Sequence, residues 1–237
     1  MPFEEISISS PRETIIREIE TQIIRGKLRP GEKLPTEREL AVQTGVSKSV
    51  VHFGLIELKR RGFVTIVPRQ GIYVADYAKT GTAETLNEVL RLNGGRLTFK
   101  MSVEIVELRN AVEGGALIRL AKNHTDENIS RLCDALDKMK EAKRLDSGIP
   151  EIARIESSFH SLICEESGND MFSLVMNSFS QISELLWQYC EMFWGVEGLI
   201  EHDEMLIAMI ELGEGREARD YIERIFVDFL DAYEKMQ

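Results

Sequence analysis

A change of hydrophobic period near Gly62 constrains the fold of this chain more than any other feature. Up to that glycine, apolar residues recur at the spacing of about 3.6 residues that is typical of helices. After it, residues 63–67 and 71–74 are β-branched and aromatic, with a polar interruption at 68–70. Two such runs separated by three polar residues predict a β-hairpin.

The helical part before this hairpin carries its own boundary signals. Pro11 suits the first turn of a helix, where a missing backbone N–H costs nothing. Thr36 and Glu39 have the spacing of a capping box that starts a second helix, which we expect to stop at Gly45. Ser47 can cap a third helix running to about residue 61. Three helices, a tight turn between the last two and a closing hairpin predict a winged helix-turn-helix.

The charge of the chain is divided unevenly along its 237 residues. The formal net charge is −11, which by itself argues against nucleic acid as a partner. Residues 1–76, however, hold 12 Lys and Arg against 10 Asp and Glu, whereas residues 77–237 hold 17 against 30. We therefore predict a winged-helix domain at 1–76, a linker at 77–81 and an acidic second domain at 82–237.

The second domain has helical periodicity throughout, which predicts an all-α bundle and makes the whole chain mainly α. Glycine-containing breaks divide it into seven predicted helices, at residues 82–92, 101–122, 126–144, 150–166, 170–194, 197–212 and 215–236.

Targeting signals and cysteine usage indicate a compartment. The chain starts with acidic residues where a secretory signal would be basic, and no run of about 18 apolar residues is present. Cys133, Cys164 and Cys190 are widely spaced and odd in number, which disfavours a disulfide framework. We expect a cytoplasmic protein that has no membrane partner.

Polar residues at the start of the third helix and on the hairpin tip suit contacts to double-stranded DNA. The first residues of the second helix of such a pair reach base edges in the major groove, and a basic hairpin tip can reach phosphate or the minor groove. Ordinary solvated surface charge is the alternative for any one of them. The predicted DNA-contacting residues are Arg38, Ser47, Lys48, Ser49, His52, Arg69 and Gln70.

The predicted bundle places several polar residues on inward, apolar helix faces. Arg109 and Glu113 share one such face, Glu156 and His160 another, and His202 a third. Burying charge is unfavourable unless the group is paired or bound. The set therefore predicts either a lined effector cavity or paired core residues.

Residues 28–41, from Leu28 to Ala41, resemble the signature of GntR regulators, and the resemblance continues through 45–52 and 71–74. It implies that Arg38, Lys48, His52 and the Arg69–Gln70 tip contact operator DNA. Lys48 and His52 stand where arginine is typical of the family. Lysine does not fork onto guanine as arginine does, and histidine is mostly neutral at pH 7, so the resemblance implies DNA binding but not the operator sequence.

Residues 106–113, 156–160 and 201–202 resemble the FCD effector domain of the FadR-type subgroup of GntR regulators. Many members hold a divalent, zinc-like metal with one carboxylate and three histidines and bind a carboxylate effector against it. By motif, Glu156, His160 and His202 occupy three of the four ligand places, whereas the fourth, near Arg224 or Ile225, holds no histidine.

The resemblance does not decide whether a metal ion is bound or which class of effector the site takes. The site could bind the effector without metal, through hydrogen bonds from His160 and His202, and some members of the subgroup lack metal and take an acyl compound. The resemblance implies Arg109 as the partner of an effector carboxylate, and Arg109, Glu113, His160 and His202 as the effector-binding residues.

The sequence as a whole predicts a ligand-responsive transcription regulator: a homodimeric repressor, not an enzyme. The alternative is a metal-dependent enzyme that uses the Glu and His residues of the bundle. Di-iron bundles use Glu-x-x-His motifs, and no glutamate lies three residues before any histidine of this chain. A third hypothesis is an architectural DNA-binding protein without an effector. It does not explain the polar residues on the inward faces of the predicted helices.

Overall fold

A computed structural model describes residues 10–235, and over this range it contains eleven helices and one two-stranded sheet. The chain divides into two compact units at Gly94–Gly95. The first unit contains α1 (Pro11–Ile24), α2 (Glu37–Thr44), α3 (Lys48–Arg60), β1 (Val64–Val67), β2 (Gly71–Val74), α4 (Tyr77–Thr80) and α5 (Ala83–Leu92). The second contains α6 (Phe99–Asn123), α7 (Asp126–Arg144), α8 (Ile149–Glu166), α9 (Asp170–Ser178), α10 (Ser180–Glu211) and α11 (Gly215–Glu234).

Local signals in the sequence set the helix boundaries of the first unit. The Thr36 hydroxyl accepts from the backbone N–H of Glu39 at 3.3 Å, and the Glu39 carboxylate accepts from the N–H of Thr36 at 2.8 Å. This confirms the capping box at the start of α2. Gly45 ends α2 in the left-handed conformation at φ 70°, which glycine adopts without strain. The Ser47 hydroxyl then caps α3, accepting from the N–H of Val50 at 3.3 Å.

The hairpin closes this unit over its apolar core. β1 and β2 are antiparallel, with Val64 opposite Val74 and Val67 opposite Gly71. Residues 68–70 form the exposed tip, as predicted. The core is built from buried residues of α1, α2, α3 and the hairpin, together with Leu34: Ile15, Ile16, Ile19, Ile23, Leu34, Leu40, Val51, Leu55, Leu58, Phe63, Val64, Ile72 and Val74. The unit is the predicted winged helix-turn-helix.

The boundary between the units lies later than the sequence predicted. The predicted linker at 77–81 contains the short helix α4, and α5, predicted to open the second domain, packs in the first unit. The Thr85 hydroxyl donates to the backbone carbonyl of Arg61 at 2.7 Å, and Arg60 donates to Glu84 at 2.7 Å. These contacts hold α5 against the end of α3, and local periodicity carries no information about them.

The second unit is all-helical, as predicted. α6 packs against α11, and α8 packs against both α7 and α10. Cys164 and Cys190 are buried in it and Cys133 is exposed, all as free thiols. No helix in the described range has both the length and the apolar character needed to cross a membrane.

The sequence predicted one helix at 170–194 and another at 197–212. The structure has two breaks in this range, the first of which was not predicted, whereas the second lies at the predicted boundary. The first break is at Phe179, between α9 and α10. The second is a kink inside α10 at Gly195, where φ is 67° and ψ is 167°. This backbone conformation is open almost only to glycine, so Gly195 sets the direction of the second half of α10.

Candidate nucleic-acid interface and buried acidic cluster

The first turns of α3 present Lys48, Ser49 and His52 on one exposed face, as the sequence predicted. They line an open depression together with Glu37 of α2 and Phe53. The Glu37 carboxylate accepts from Nδ1 of His52 at 2.7 Å and lies 3.9 Å from Nζ of Lys48. Glu37 and Phe53, a residue that is 57% exposed, were not among the residues predicted from the sequence. Their position follows only from the packing of α2 on α3.

The other predicted DNA-contacting residues lie outside this depression. Arg38 is exposed on α2 and makes no ion pair with any residue in the described range. The Ser47 hydroxyl is occupied by capping α3. Arg69 and Gln70 are exposed at the hairpin tip, where Arg69 adopts a φ of 64°. The unit therefore presents cationic and polar side chains from α2, α3 and the hairpin.

The second unit contains a buried ionic chain that joins α6, α8 and α10. Nη2 of Arg109 donates to Glu113 at 2.9 Å, and Nη1 donates to the Ser183 hydroxyl at 3.1 Å. The other oxygen of Glu113 pairs with Nδ1 of His160. Arg109, Glu113 and His160 are each at most 2% exposed. The structure thus brings together three of the four predicted effector-binding residues.

The opposite nitrogen of His160 faces two further carboxylates. Nε2 lies 3.4 Å from Glu156 and 3.9 Å from Asp203, and both acids are fully buried. Ligand atoms of Glu156, His160 and Asp203 all lie within 4.8 Å of one another, which is compact enough to hold one metal ion. We call these three residues the acidic cluster.

Burial and mutual charge determine the pKa values around the cluster. Burial opposes the ionised form of Glu113, but the charges of His160 and Arg109 outweigh it and lower the pKa of Glu113. Burial likewise opposes the imidazolium of His160, but Glu113 and Glu156 raise its pKa. Burial and then the neighbouring charge of Glu156 raise the pKa of Asp203 well above its usual range.

Aromatic rings close one side of this region. The imidazole of His160 stacks on Trp187 with ring centroids 4.5 Å apart and planes 21° apart. The Arg109 guanidinium lies 5.0 Å from the centroid of the same indole, within the range of a cation–π contact. Trp187 therefore fixes both the imidazole and the guanidinium.

Several polar atoms here lack a hydrogen-bond partner within the described part of the chain. They include both carboxylate oxygens of Glu156 and of Asp203, Nε of Arg109 and the indole N–H of Trp187. Buried polar atoms are normally paired, so unpaired ones indicate a ligand, an ion or water. The unpaired oxygens belong to the acidic cluster and the unpaired donors lie beside it.

His202, predicted as both a metal ligand and an effector contact, is placed differently. It is not a member of the acidic cluster, and the structure groups its neighbour Asp203 with Glu156 and His160 instead. Its Nδ1 pairs with the Tyr221 hydroxyl at 2.7 Å, and burial lowers its pKa. Its Nε2 is buried without a partner within the described residues. The physical reason is rotation along α10, because adjacent helical residues point about 100° apart.

The expected place of the fourth ligand is occupied by residues that do not bind metal. Ile225 is buried in the core. The guanidinium of Arg224 lies 5.7 Å from the ring centroid of Tyr221.

Comparison with known proteins identifies both units. Residues 11–74 match the model of the bacterial regulatory proteins of the gntR family, and residues 104–228 match the FCD domain. The chain is 27% identical over 203 residues to the HTH-type transcriptional regulator LutR of Bacillus subtilis, covering 83% of this chain and 89% of LutR. It is 31% identical over 164 residues to the HTH-type transcriptional repressor NanR of Klebsiella aerogenes, covering 68% of this chain and 60% of NanR.

A solved structure supports the fold. Lar, described as controlling expression of the Listeria monocytogenes agr system, matches with a TM-score of 0.62 at 15% identity, covering 100% of both chains. Because the FCD match alone spans more than half of the chain and the gntR match precedes it without overlap, the chain belongs to the gntR family of bacterial regulatory proteins, in the branch that carries an FCD domain.

Proposed function

We propose that this transcription regulator changes its affinity for operator DNA when a small carboxylate effector binds beside the acidic cluster, together with a divalent metal ion. The observation that carries the proposal is the set of buried, unpaired carboxylate oxygens on Glu156 and Asp203. Such oxygens are costly to bury unless a cation or proton compensates them. Without a ligand, the raised pKa of Asp203 favours a proton on this acid, and a divalent cation would replace that proton.

The residues of the cluster fit a divalent cation. Glu113 holds Nδ1 of His160, which leaves Nε2 directed at Glu156 and Asp203. A carboxylate on the far nitrogen of a ligating histidine is the usual outer partner in metal sites. Glu156, His160 and Asp203 would hold the ion, which would supply a Lewis-acidic contact for an effector oxygen. Two carboxylates and one imidazole suit manganese or ferrous iron as well as zinc.

The unpaired donors support an anionic effector. Nε of Arg109 and the indole N–H of Trp187 are buried and have no acceptor within the described residues. Arginine binds carboxylates through charge-assisted hydrogen bonds, and an indole N–H adds a neutral donor. A small carboxylate could therefore be bound by the metal on one side and by these donors on the other.

We infer a homodimeric repressor without a catalytic role. Helix-turn-helix proteins commonly read two half-sites with two copies of the same unit, which requires a dimer. Repression is favoured by the likeness to NanR, which is named a repressor. Light scattering on the purified chain tests the dimer, and a promoter–reporter fusion to its operator tests repression.

The metal is tested by thermal unfolding of metal-stripped protein titrated with Mn²⁺ or Zn²⁺. We expect a raised Tm for the wild type, a much smaller increase for Asp203→Asn, and an unchanged increase for the matched control Glu201→Gln. Glu201 is exposed on the same helix, so its change makes the same replacement of a carboxyl group by an amide outside the cluster. An equal Tm increase in wild type and Asp203→Asn would contradict the metal site.

The effector is tested with a panel of small carboxylates. We expect at least one to raise the Tm of the metal-loaded wild type and to change its affinity for a selected operator duplex. Arg109→Lys should weaken this response, since lysine keeps the charge but has no Nε donor. An operator affinity that no carboxylate changes would refute effector control.

A further inference from the structure

A carboxylate lies within the surface that is predicted to meet DNA. Glu37 is the first residue of α2, and its side chain is 29% exposed in the depression lined by Lys48, Ser49 and His52. Its oxygens contact Nδ1 of His52 at 2.7 Å and approach Nζ of Lys48 at 3.9 Å. Lys48 and His52 are four residues apart on α3, so one acid on α2 contacts both.

Helix capping does not account for this glutamate. Thr36 and Glu39 satisfy the start of α2 between them, and Glu37 takes no part in that pair. A negative charge in the first turn of a helix gains only about 0.3–1 kcal/mol from the helix dipole. Beside DNA phosphates the same charge is repelled, because binding there depends on neutralising phosphate charge. The contacts of Glu37 with His52 and Lys48 on α3 are therefore the interactions that only a carboxylate at this position makes.

The contact to Nδ1 decides which atom His52 offers to DNA. When Nδ1–H donates to Glu37, the neutral imidazole carries its acceptor lone pair on Nε2. Nε2 has no protein partner among the contacts in the described range, and the side chain is 51% exposed. An acceptor in the major groove matches the exocyclic amino groups of adenine and cytosine.

We propose that Glu37 is a positioning residue for operator recognition, which fixes the ring of His52 so that Nε2 accepts a hydrogen bond from a base amino group. This rests on operator binding by the winged-helix unit. Glu37 acts through His52, and its negative charge lowers the affinity of the unit for DNA of any sequence. It therefore raises sequence specificity at the expense of total affinity.

The experiment measures binding of the full chain to two duplexes. One is selected by the wild type from a library with a randomised core, and the other is an unrelated sequence of the same length. Glu37→Ala should reduce the ratio of the two affinities about tenfold, in the range of one lost base contact. Its affinity for the unrelated duplex should stay equal or rise. A merely structural defect would weaken both.

Three further variants test whether Glu37 acts through His52 and not through its charge alone. Glu37→Gln keeps an acceptor for Nδ1–H and should retain the affinity ratio to within about threefold. In a His52→Ala background, Glu37→Ala should change the ratio no further, because the two residues act as one unit. Glu18→Gln removes the same charge on α1, where Glu18 accepts from Gln22, and should leave the ratio unchanged.

Two results overturn the proposal: an unchanged ratio in Glu37→Ala, or losses from Glu37→Ala and His52→Ala that simply add. Failure of the wild type to select any sequence would instead overturn operator binding itself, so the two failures are distinguishable.

Discussion

Replacing Asp203 with asparagine tests the buried acidic cluster through the pH dependence of stability. The carboxylate is fully buried, and burial together with the charge of Glu156 raises its pKa well above the usual range. The folded protein therefore holds a proton on this group at pH values where the unfolded chain has released it. An acid of this kind contributes its full stability below the pKa of the unfolded chain and loses it as pH rises through the folded pKa.

The size of the effect follows from linkage. One proton held only by the folded state changes the free energy of unfolding by about 1.4 kcal/mol per pH unit. With chelator present, the wild type should lose stability relative to Asp203→Asn by about this amount for each pH unit from 5 upward. A divalent ion at 100 times its Kd should return about 2.7 kcal/mol to the wild type and far less to the variant, which lacks one ligand.

The assay is urea unfolding followed by tryptophan fluorescence at pH 5, 6 and 7, with chelator or with Mn²⁺. The only two tryptophans of the chain, Trp187 and Trp194, lie in α10, so the signal reports on the second unit. Glu201→Gln on the same helix is the control and should follow the wild type. Wild-type and Asp203→Asn stabilities that run parallel across this pH range would refute the reasoning.

Three other predictions concern the stability of the chain. Arg109→Met should cost about 3–5 kcal/mol in urea unfolding, because it leaves the buried Glu113 carboxylate without its arginine, and adding Glu113→Gln should recover much of the loss. Burial raises the pKa of Glu20 to about 7, so stability should fall as pH rises from about 4.5 through 7; Glu20→Gln should remove up to about 3 kcal/mol of that fall, measured by circular dichroism at pH 5 and 8. Gly195→Ala should cost about 2 kcal/mol in tryptophan-monitored unfolding, because alanine disfavours the positive φ there.

Almost every element of the winged-helix unit was predictable, because capping residues and glycines close in sequence set its helix boundaries. The capping box at Thr36, the left-handed Gly45 and the Ser47 cap each act within four residues of their own position. The place of α5 was not predictable in this way. Its attachment depends on Thr85 reaching a carbonyl 24 residues earlier in the chain, which no local pattern encodes.

The role of Glu37 was not predictable for the same reason, because it depends on a contact between residues that are distant in the sequence. Its identity and helical position are plain in the sequence, but its contact to His52 spans 15 residues and depends on how α2 crosses α3. Predicting a helix-turn-helix assigns the basic residues to their helices, but it does not predict that an acidic residue contacts them. The positions of Lys48 and His52 on α3 were therefore predictable, whereas the carboxylate that contacts them was not.

Asp203, and not His202, lies in the acidic cluster, and the spacing of buried residues along α10 indicates why. Among the buried positions on the second half of α10, Leu199, Asp203, Leu206 and Ile210 recur at intervals of four, three and four residues, and Ile200 and Ile207 are buried beside them. These residues form the stripe of one helix face, and Asp203 belongs to it, whereas Met205, two residues further along, is 45% exposed. His202 was predicted as a ligand because residues 201–202 match the motif of the FCD resemblance. The apolar spacing, which reflects the whole core, pointed to the carboxylate beside it. If the buried stripe supplies the metal ligand, His202→Asn should keep the Tm increase caused by metal, and Asp203→Asn should lose most of it. The reverse result would show that the motif, and not the spacing, identifies the ligand.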